Sequence, residues 1–378
     1  MTDWKTGSLL TVLLVATLVR AQTPTPSDAQ ALERQGRLPE AAEAWKAITT
    51  HNPRDAAAFA SWGLVLSKQE SYPEAVLAYK KALKLNPNLP GIQLNLGLAE
   101  FKQGRFPEAI SPLRAALAAD SHSMQARTLL GLSYYGTKRF AEAAKYLKVA
   151  AQAEPNNLEL HQVLAQSCLW AKDNDCALKE FQQILKQNPD SAAAHMLMGE
   201  ALDGLERRAD AIAEFQAAVK AAPNEPGVHF GLGYLYWKSH EYDQANAEFE
   251  TELSIDPGNA QALAYLGDVE LKLNNPEKAL ALLQKAVQQK NDLRIAYADI
   301  GAIYMDQKQY EDALAAFQQA VKLDPEQPDM HFRLGNLYRV MGNTSASQEE
   351  FAKFRALHKK ADDALLKKLS DAPPALHQ

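Results

Sequence analysis

Apolar, small and chain-breaking positions in this chain recur at one long interval. A bulky residue stands at Trp45, Tyr79, Leu113, Leu147, Phe181, Phe215, Phe249, Leu283, Phe317 and Phe351, always 34 residues after the last. Alanine keeps the same step from Ala41 through Ala75, Ala109, Ala143, Ala177, Ala211, Ala245 and Ala279 to Ala313, with Ser347 in the final place. Glycine does so at Gly63, Gly97, Gly131, Gly199, Gly233, Gly267, Gly301 and Gly335, with Ala165 in the gap. Proline falls at Pro53, Pro87, Pro155, Pro189, Pro223, Pro257 and Pro325, and turn formers Ser121 and Asn291 fill the missing rungs. An unbroken period of this length predicts a repeat array rather than two or three ordinary domains.

Each period predicts two helices. Proline lacks an N–H and clashes with the preceding turn, so the proline ladder marks where the second helix stops. LPEA, YPEA and FPEA at 38–41, 72–75 and 106–109 mark where it starts. Proline in a first turn loses no hydrogen bond, and the following Glu favours a helix N-terminus. Small residues let the paired helices approach, which predicts that Gly233 nearly touches Ala245. The bulky residue fills the space below. One such pair cannot bury its own apolar faces, whereas a stack of pairs can.

These ladders resemble the tetratricopeptide repeat, a 34-residue helix–turn–helix unit with Gly at position 8, Ala at 20, an aromatic at 24 and Pro at 32. The resemblance covers roughly residues 22–360. It implies an all-α, right-handed α-solenoid over residues 28–370, made of about ten repeats ending near residues 53, 87, 121, 155, 189, 223, 257, 291, 325 and 359. The first repeat has a short opening helix, expected over 28–35 with Ser27 or Asp28 as its N-cap. A closing helix is expected from about Ser345 to Leu369. Phe351, Phe354, Leu357, Leu365 and Leu366 would face the array, and Lys359, Lys360, Lys367 and Lys368 would face water. Residues 371–378 read as a loose tail.

The N-terminus has another character. Lys5 precedes an apolar run from Leu9 to Val19, and Val19-Arg20-Ala21 supplies residues suited to cleavage after Ala21. This matches a secretory signal peptide over residues 1–21. The run is shorter than the about 20 apolar residues that span a bilayer, which sets an uncleaved anchor second. Residues 22–27 (QTPTPS) are expected to be an extended linker. The mature protein is accordingly expected to be periplasmic or secreted.

Net charge is −6 over 378 residues. That leaves no basic footprint for nucleic acid. No HExxH, GxSxG or GxxxxGK[ST] sequence occurs, so no catalytic residue, metal or cofactor is expected and the protein does not read as an enzyme. His161, His195, His229 and His331 share position 4 of their repeats and are too far apart to converge on one ion. They are expected to be half-buried rings standing in for an aromatic. Cys168 and Cys176 could pair in an oxidising compartment. Position 19, where Cys176 falls, points partly outward, which favours two separate thiols.

The resemblance also implies a function. Such solenoids commonly bind a protein or peptide along a concave face, making this chain a non-catalytic scaffold. The alternatives are an assembly subunit of an envelope complex acting through convex or edge surfaces and, more remotely, an enzyme accessory. The family's carboxylate clamp, Lys at position 5 with Asn at position 9, is missing in every repeat, as is the asparagine ladder at position 6. In the family, positions 2, 5, 9, 12 and 13 line the groove. They give Leu98, Phe101, Leu132, Tyr135, Gln166, Trp170, Met196, Glu200, Asp203, Phe230, Tyr234, Trp237 and Asp268 as candidate partner-binding residues, and Tyr265, at position 6, joins the aromatic run. The expected partner is a protein or peptide with an extended, partly apolar segment and a basic residue near Glu200 and Asp203.

Overall fold

The structure, a computed structural model, describes residues 23–371. The proposed signal peptide and the final residues 372–378 lie outside the described residues. Among those described there are twenty helices and no strand. The chain is an all-α solenoid of paired helices, grouped in two compact units that divide after Pro155.

The first unit holds four pairs: α1 (Pro26–Arg34) with α2 (Leu38–His51), α3 (Ala56–Lys68) with α4 (Tyr72–Leu85), α5 (Ile92–Lys102) with α6 (Phe106–Ala119), and α7 (Met124–Gly136) with α8 (Phe140–Ala153). The second holds six. These are α9 (Leu158–Trp170) with α10 (Asn174–Gln187), α11 (Ala192–Gly204) with α12 (Arg208–Ala221), and α13 (Val228–Lys238) with α14 (Tyr242–Ile255). They continue with α15 (Ala260–Lys272) and α16 (Pro276–Gln289), α17 (Arg294–Asp306) and α18 (Tyr310–Leu323), and α19 (Pro328–Val340) and α20 (Thr344–Asp371).

Local chemistry sets these bounds. Asp55, Ser123, Asn157, Ser191 and Asn259 cap first helices by accepting the N–H three residues on. Such caps satisfy donors that the helix cannot. Between the two helices of every repeat, position 15 is left-handed. Gly36, Gly104 and Gly342 supply it without strain, but Glu70, Lys138, Lys172, Glu206, His240, Asn274 and Lys308 adopt it with φ between 59° and 65°. The following N–H reaches back to close the turn, as from Ser71 to the Leu66 carbonyl at 2.9 Å. That bond satisfies an orphan carbonyl and explains why side-chain residues tolerate the strain.

The ladders form the core. Every alanine from Ala41 to Ala313 on its ladder is fully buried, and the bulky ladder is buried from Trp45 to Phe317. The register differs slightly from expectation. A Cβ on Gly233 would lie 2.9 Å from the Phe249 ring and 3.2 Å from Glu248, not against Ala245. The glycine makes room chiefly for the position-24 ring; position 20 comes close through its backbone, as with the Ala211 carbonyl 3.3 Å from a Cβ on Gly199. In the last repeat Ser347 uses that approach, donating to the Gly335 carbonyl at 2.8 Å.

The ends depart from expectation. Thr25, not Ser27 or Asp28, caps α1, and its hydroxyl and backbone N–H pair reciprocally with Asp28. Pro26 and Ser27 are already helical, so the linker ends at Thr25. At the other end Phe351, Phe354 and Leu357 are half-buried, and Phe354 packs 5.3 Å from Phe332. Leu366 is 64% exposed rather than facing the array. The reason is length: α20 has 28 residues and α19 only 13, so α20 outruns its partner. Lys359 and Lys360 are exposed as expected. The side chains of Leu365, Lys367 and Lys368 lie outside the described residues.

Cys168 and Cys176 form a disulfide, with their Cα atoms 5.7 Å apart, instead of two separate thiols. Cys176 is the third residue of α10, beside the tight turn that brings α9 and α10 together. Asp173 caps that turn by accepting the Cys176 N–H at 3.2 Å. Position 19 is thus near enough to the buried position 11, although it is only partly covered.

Candidate functional site

The second unit concentrates its aromatic candidates on α13 and its neighbour α15, with Trp170 apart on α9. Phe230, Tyr234 and Trp237 follow one another at helical spacing on one face of α13. Tyr265 of α15 meets all three, with ring centroids at 6.0, 5.3 and 4.9 Å. Phe249, from the core ladder, lies beneath Phe230 at 5.9 Å. These four candidate rings, Phe230, Tyr234, Trp237 and Tyr265, are half-buried. They form one interlocked cluster with open edges, not a row of free-standing rings.

A change at the start of α13 opens a pocket beside that cluster. Pro226-Gly227 replaces the usual helical opening, and Gly227 sits at φ +89°, so α13 begins two residues late. The buried Glu252 carboxylate takes the freed amides: it accepts Gly227 N–H at 2.9 and 3.0 Å and Phe230 N–H at 3.2 Å. Asn259 donates to it as well, at 2.9 Å. The pocket measures about 290 Å³ and is lined by Met196, Glu200 and Asp203 of α11, Phe215 of α12, and Gly227, Phe230, Gly231, Tyr234 and Leu235. Gly231 is needed for its floor, because a Cβ there would overlap the Phe215 ring.

The two acids of the pocket differ. Asp203 already has a cation: Lys238 Nζ donates to both its oxygens at 2.8 Å. The expected acidic pair is therefore one neutralised acid and one open acid. Glu200 has no ion-pair partner among the described residues. Glu200 is exposed, and the protein around its carboxyl displaces part of the water there and raises its pKa.

Further along, Trp237 Nε1 donates to Asp268 at 2.6 Å, and Lys272 lies 3.7 Å from the same carboxylate. Asp268 is buried. Behind it is buried Asp299, whose pKa is pushed up to about 8, first by desolvation and then by the Asp268 charge. Arg333 and Lys272 oppose that rise. Asp299 is thus held neutral at pH 7.

The other candidates are placed as follows. In the first unit Leu98, Phe101, Leu132 and Tyr135 are half-buried. Phe101 packs on Phe106 at 5.4 Å and Tyr135 on Phe140 at 6.0 Å, each across its own helix turn. In the second, Gln166 is half-buried and Trp170, at the end of α9, is 48% exposed. Trp170 is the most open ring of the set.

Sequence reasoning missed the histidine partners. His161, His195, His229 and His331 place Nδ1 at 2.5–2.6 Å from Glu180, Glu214, Glu248 and Glu350. His195, His229 and His331 also place Nε2 at 2.9 Å from the carbonyls of Pro189, Pro223 and Pro325. Each of these three rings is thus held between a glutamate and a backbone carbonyl, with both ring nitrogens at hydrogen-bond distance from an oxygen. The signal was present: every repeat with His at position 4 has Glu at position 23. Lys238 and Asp299 were also missed, since each depends on a neighbour in the preceding repeat.

A solenoid of helix pairs with small-residue ladders defines a class of helical-repeat proteins. Family models described as "TPR repeat" match residues 63–104 and 301–342. Models described as "Tetratricopeptide repeat" match 94–157, 230–293, 134–201 and 192–225. The chain belongs to the tetratricopeptide repeat proteins. Among solved structures it resembles YrrB, described as a TPR protein with an unusual peptide-binding site, at 23% identity. That match covers 50% of this chain and 97% of YrrB, with a TM-score of 0.39. It also resembles "MamA MSR-1 C2" at 25% identity, over 44% of this chain and 95% of that one, with a TM-score of 0.39. A further structure of MamA matches at 20% identity, over 44% and 97% of the two chains, again with a TM-score of 0.39. Comparison of the sequence with curated proteins gives no match.

Proposed function

We propose that this protein, a protein–protein interaction scaffold by family, works without catalysis and holds an extended peptide along α11, α13 and α15. A lysine or arginine of that peptide enters the pocket beside Phe230 and Tyr234 and pairs with Glu200. The observation that carries this reading is Glu200 itself, an unpaired and partly desolvated acid on an aromatic wall. A cation there gains both an ion pair and the faces of the rings. Asp203 is not the anchor, because Lys238 occupies it.

The scaffold is proposed to act outside the cytoplasm. Support comes from the Lys5, Leu9–Val19, Ala21 pattern and from the disulfide, since structural disulfides persist in oxidising compartments.

Synthetic apolar decapeptides carrying one central lysine test the binding mode. The lysine peptide should bind at least about tenfold more tightly than the same peptide with glutamine, the gap expected of a charge-assisted contact. Equal affinities would contradict the proposal.

A further inference from the structure

The first unit contains a second opening, distant in register from the Glu200 pocket and independent of that reading. We infer that it is a receptor for a carboxylate borne directly on a small aliphatic body, as at the end of a peptide chain.

The inference rests on two repeats that share a rare opening. Repeat 3 begins Pro90-Gly91 as repeat 7 begins Pro226-Gly227. Both glycines are left-handed, at φ +75° and +89°, and both first helices are cut to 11 residues. In each case the shortened helix leaves the same amides, at positions 2 and 5, without a backbone acceptor. Repeat 7 shows what those amides take. The Glu252 carboxylate accepts from Gly227 N–H and Phe230 N–H, and Asn259 completes its shell.

In repeat 3 the register positions of Glu252 and Asn259 hold Ala116 and Ser123. No side chain of the described residues reaches Gly91 N–H or Leu94 N–H. Where the glutamate would lie there is instead a cavity of about 600 Å³. Its walls include Leu89, Leu94, Ala115, Ala116, Ala119 and Ser123. The amides and the N-terminal end of α5 favour an anion. The aliphatic walls favour an apolar group beside it, which selects a terminal carboxylate over an acidic side chain on a polar backbone. Asp120 at the rim does not oppose this. Its counterpart Asp256 coexists with Glu252, and each aspartate is engaged by an amide two residues on.

Amide ¹⁵N–¹H spectra of the full chain test the site with three probes. N-acetyl-leucine should shift Gly91 and Leu94 saturably. N-acetyl-leucinamide, which lacks the charge, should bind at least about tenfold more weakly, the ratio for losing one charge-assisted contact. N-acetyl-glutamic acid α-amide, with only a side-chain carboxylate, should also be the weaker ligand. Ala116→Glu should move the same two resonances without any probe, by supplying the missing acid, and should abolish the response to N-acetyl-leucine. The titration of the parent chain decides the matter whether or not the variant folds. Silent Gly91 and Leu94 resonances, or equal responses to acid and amide, would overturn the inference. A stronger response to the side-chain acid would overturn the choice of a terminal carboxylate.

Discussion

Asp299 shows how one buried residue ties stability to pH. Its carboxyl is neutral in the folded chain up to about pH 8 but ionises near pH 4 once unfolded. For an acid with a raised pKa, stability is full below the unfolded value. It then falls as pH rises from about 4 to about 8, because only the unfolded state gains from ionising. Asp299→Asn keeps the neutral shape and removes that loss. The variant should therefore unfold at a higher temperature than the parent at pH 8 and close to the parent's at pH 4. A gain of equal size at both pH values would mean that ionisation of Asp299 plays no part. None of this was legible from the sequence. Its character comes first from burial between helices and then from Asp268 one repeat earlier.

Within the helix pair, the histidine–glutamate contact replaces an aromatic one. Repeats 2 and 9 put Phe59 and Tyr297 at position 4, opposite Ala78 and Ala316 at position 23. Repeat 7 puts His229 opposite Glu248. His229→Phe alone strands a carboxylate and the Pro223 carbonyl, at a cost of about 1–3 kcal/mol. His229→Phe with Glu248→Ala restores the pairing used by repeats 2 and 9. It should recover most of that loss in denaturant unfolding. A double variant no more stable than the single one would show that the two residues are not coupled. At this scale the sequence was highly informative. Period, helix count and the buried ladders follow from which residues can end a helix or lie between two. The contacts that it hid are pairs: His with Glu, Asp203 with Lys238, Cys168 with Cys176. Single positions carry no mark of what a partner 8 to 35 residues away will supply.

For the molecule as a whole, function rests on where the array is held and what it holds. No helix among the described residues is long and apolar enough to cross a membrane. Export is proposed from residues 1–21 and from the Cys168–Cys176 disulfide, and N-terminal sequencing of protein from its native host should begin at Gln22. An intact Met1 in a soluble cytosolic fraction would contradict export. The candidate site was half legible. Met196, Glu200, Phe230 and Tyr234 could be named from repeat position, and they meet around one pocket. The late start of α13 that opens the pocket depends on Gly227 and Glu252 acting together, which repeat position does not reveal.

The central claim is that Glu200 reads a cationic side chain. Calorimetric titration of the parent and Glu200→Gln with the lysine decapeptide and its glutamine version tests it as one cycle. The account predicts that Glu200→Gln weakens the lysine peptide by about 1–2 kcal/mol and leaves the glutamine peptide almost unchanged. Equal losses for both peptides, or no loss for either, would place the recognition elsewhere.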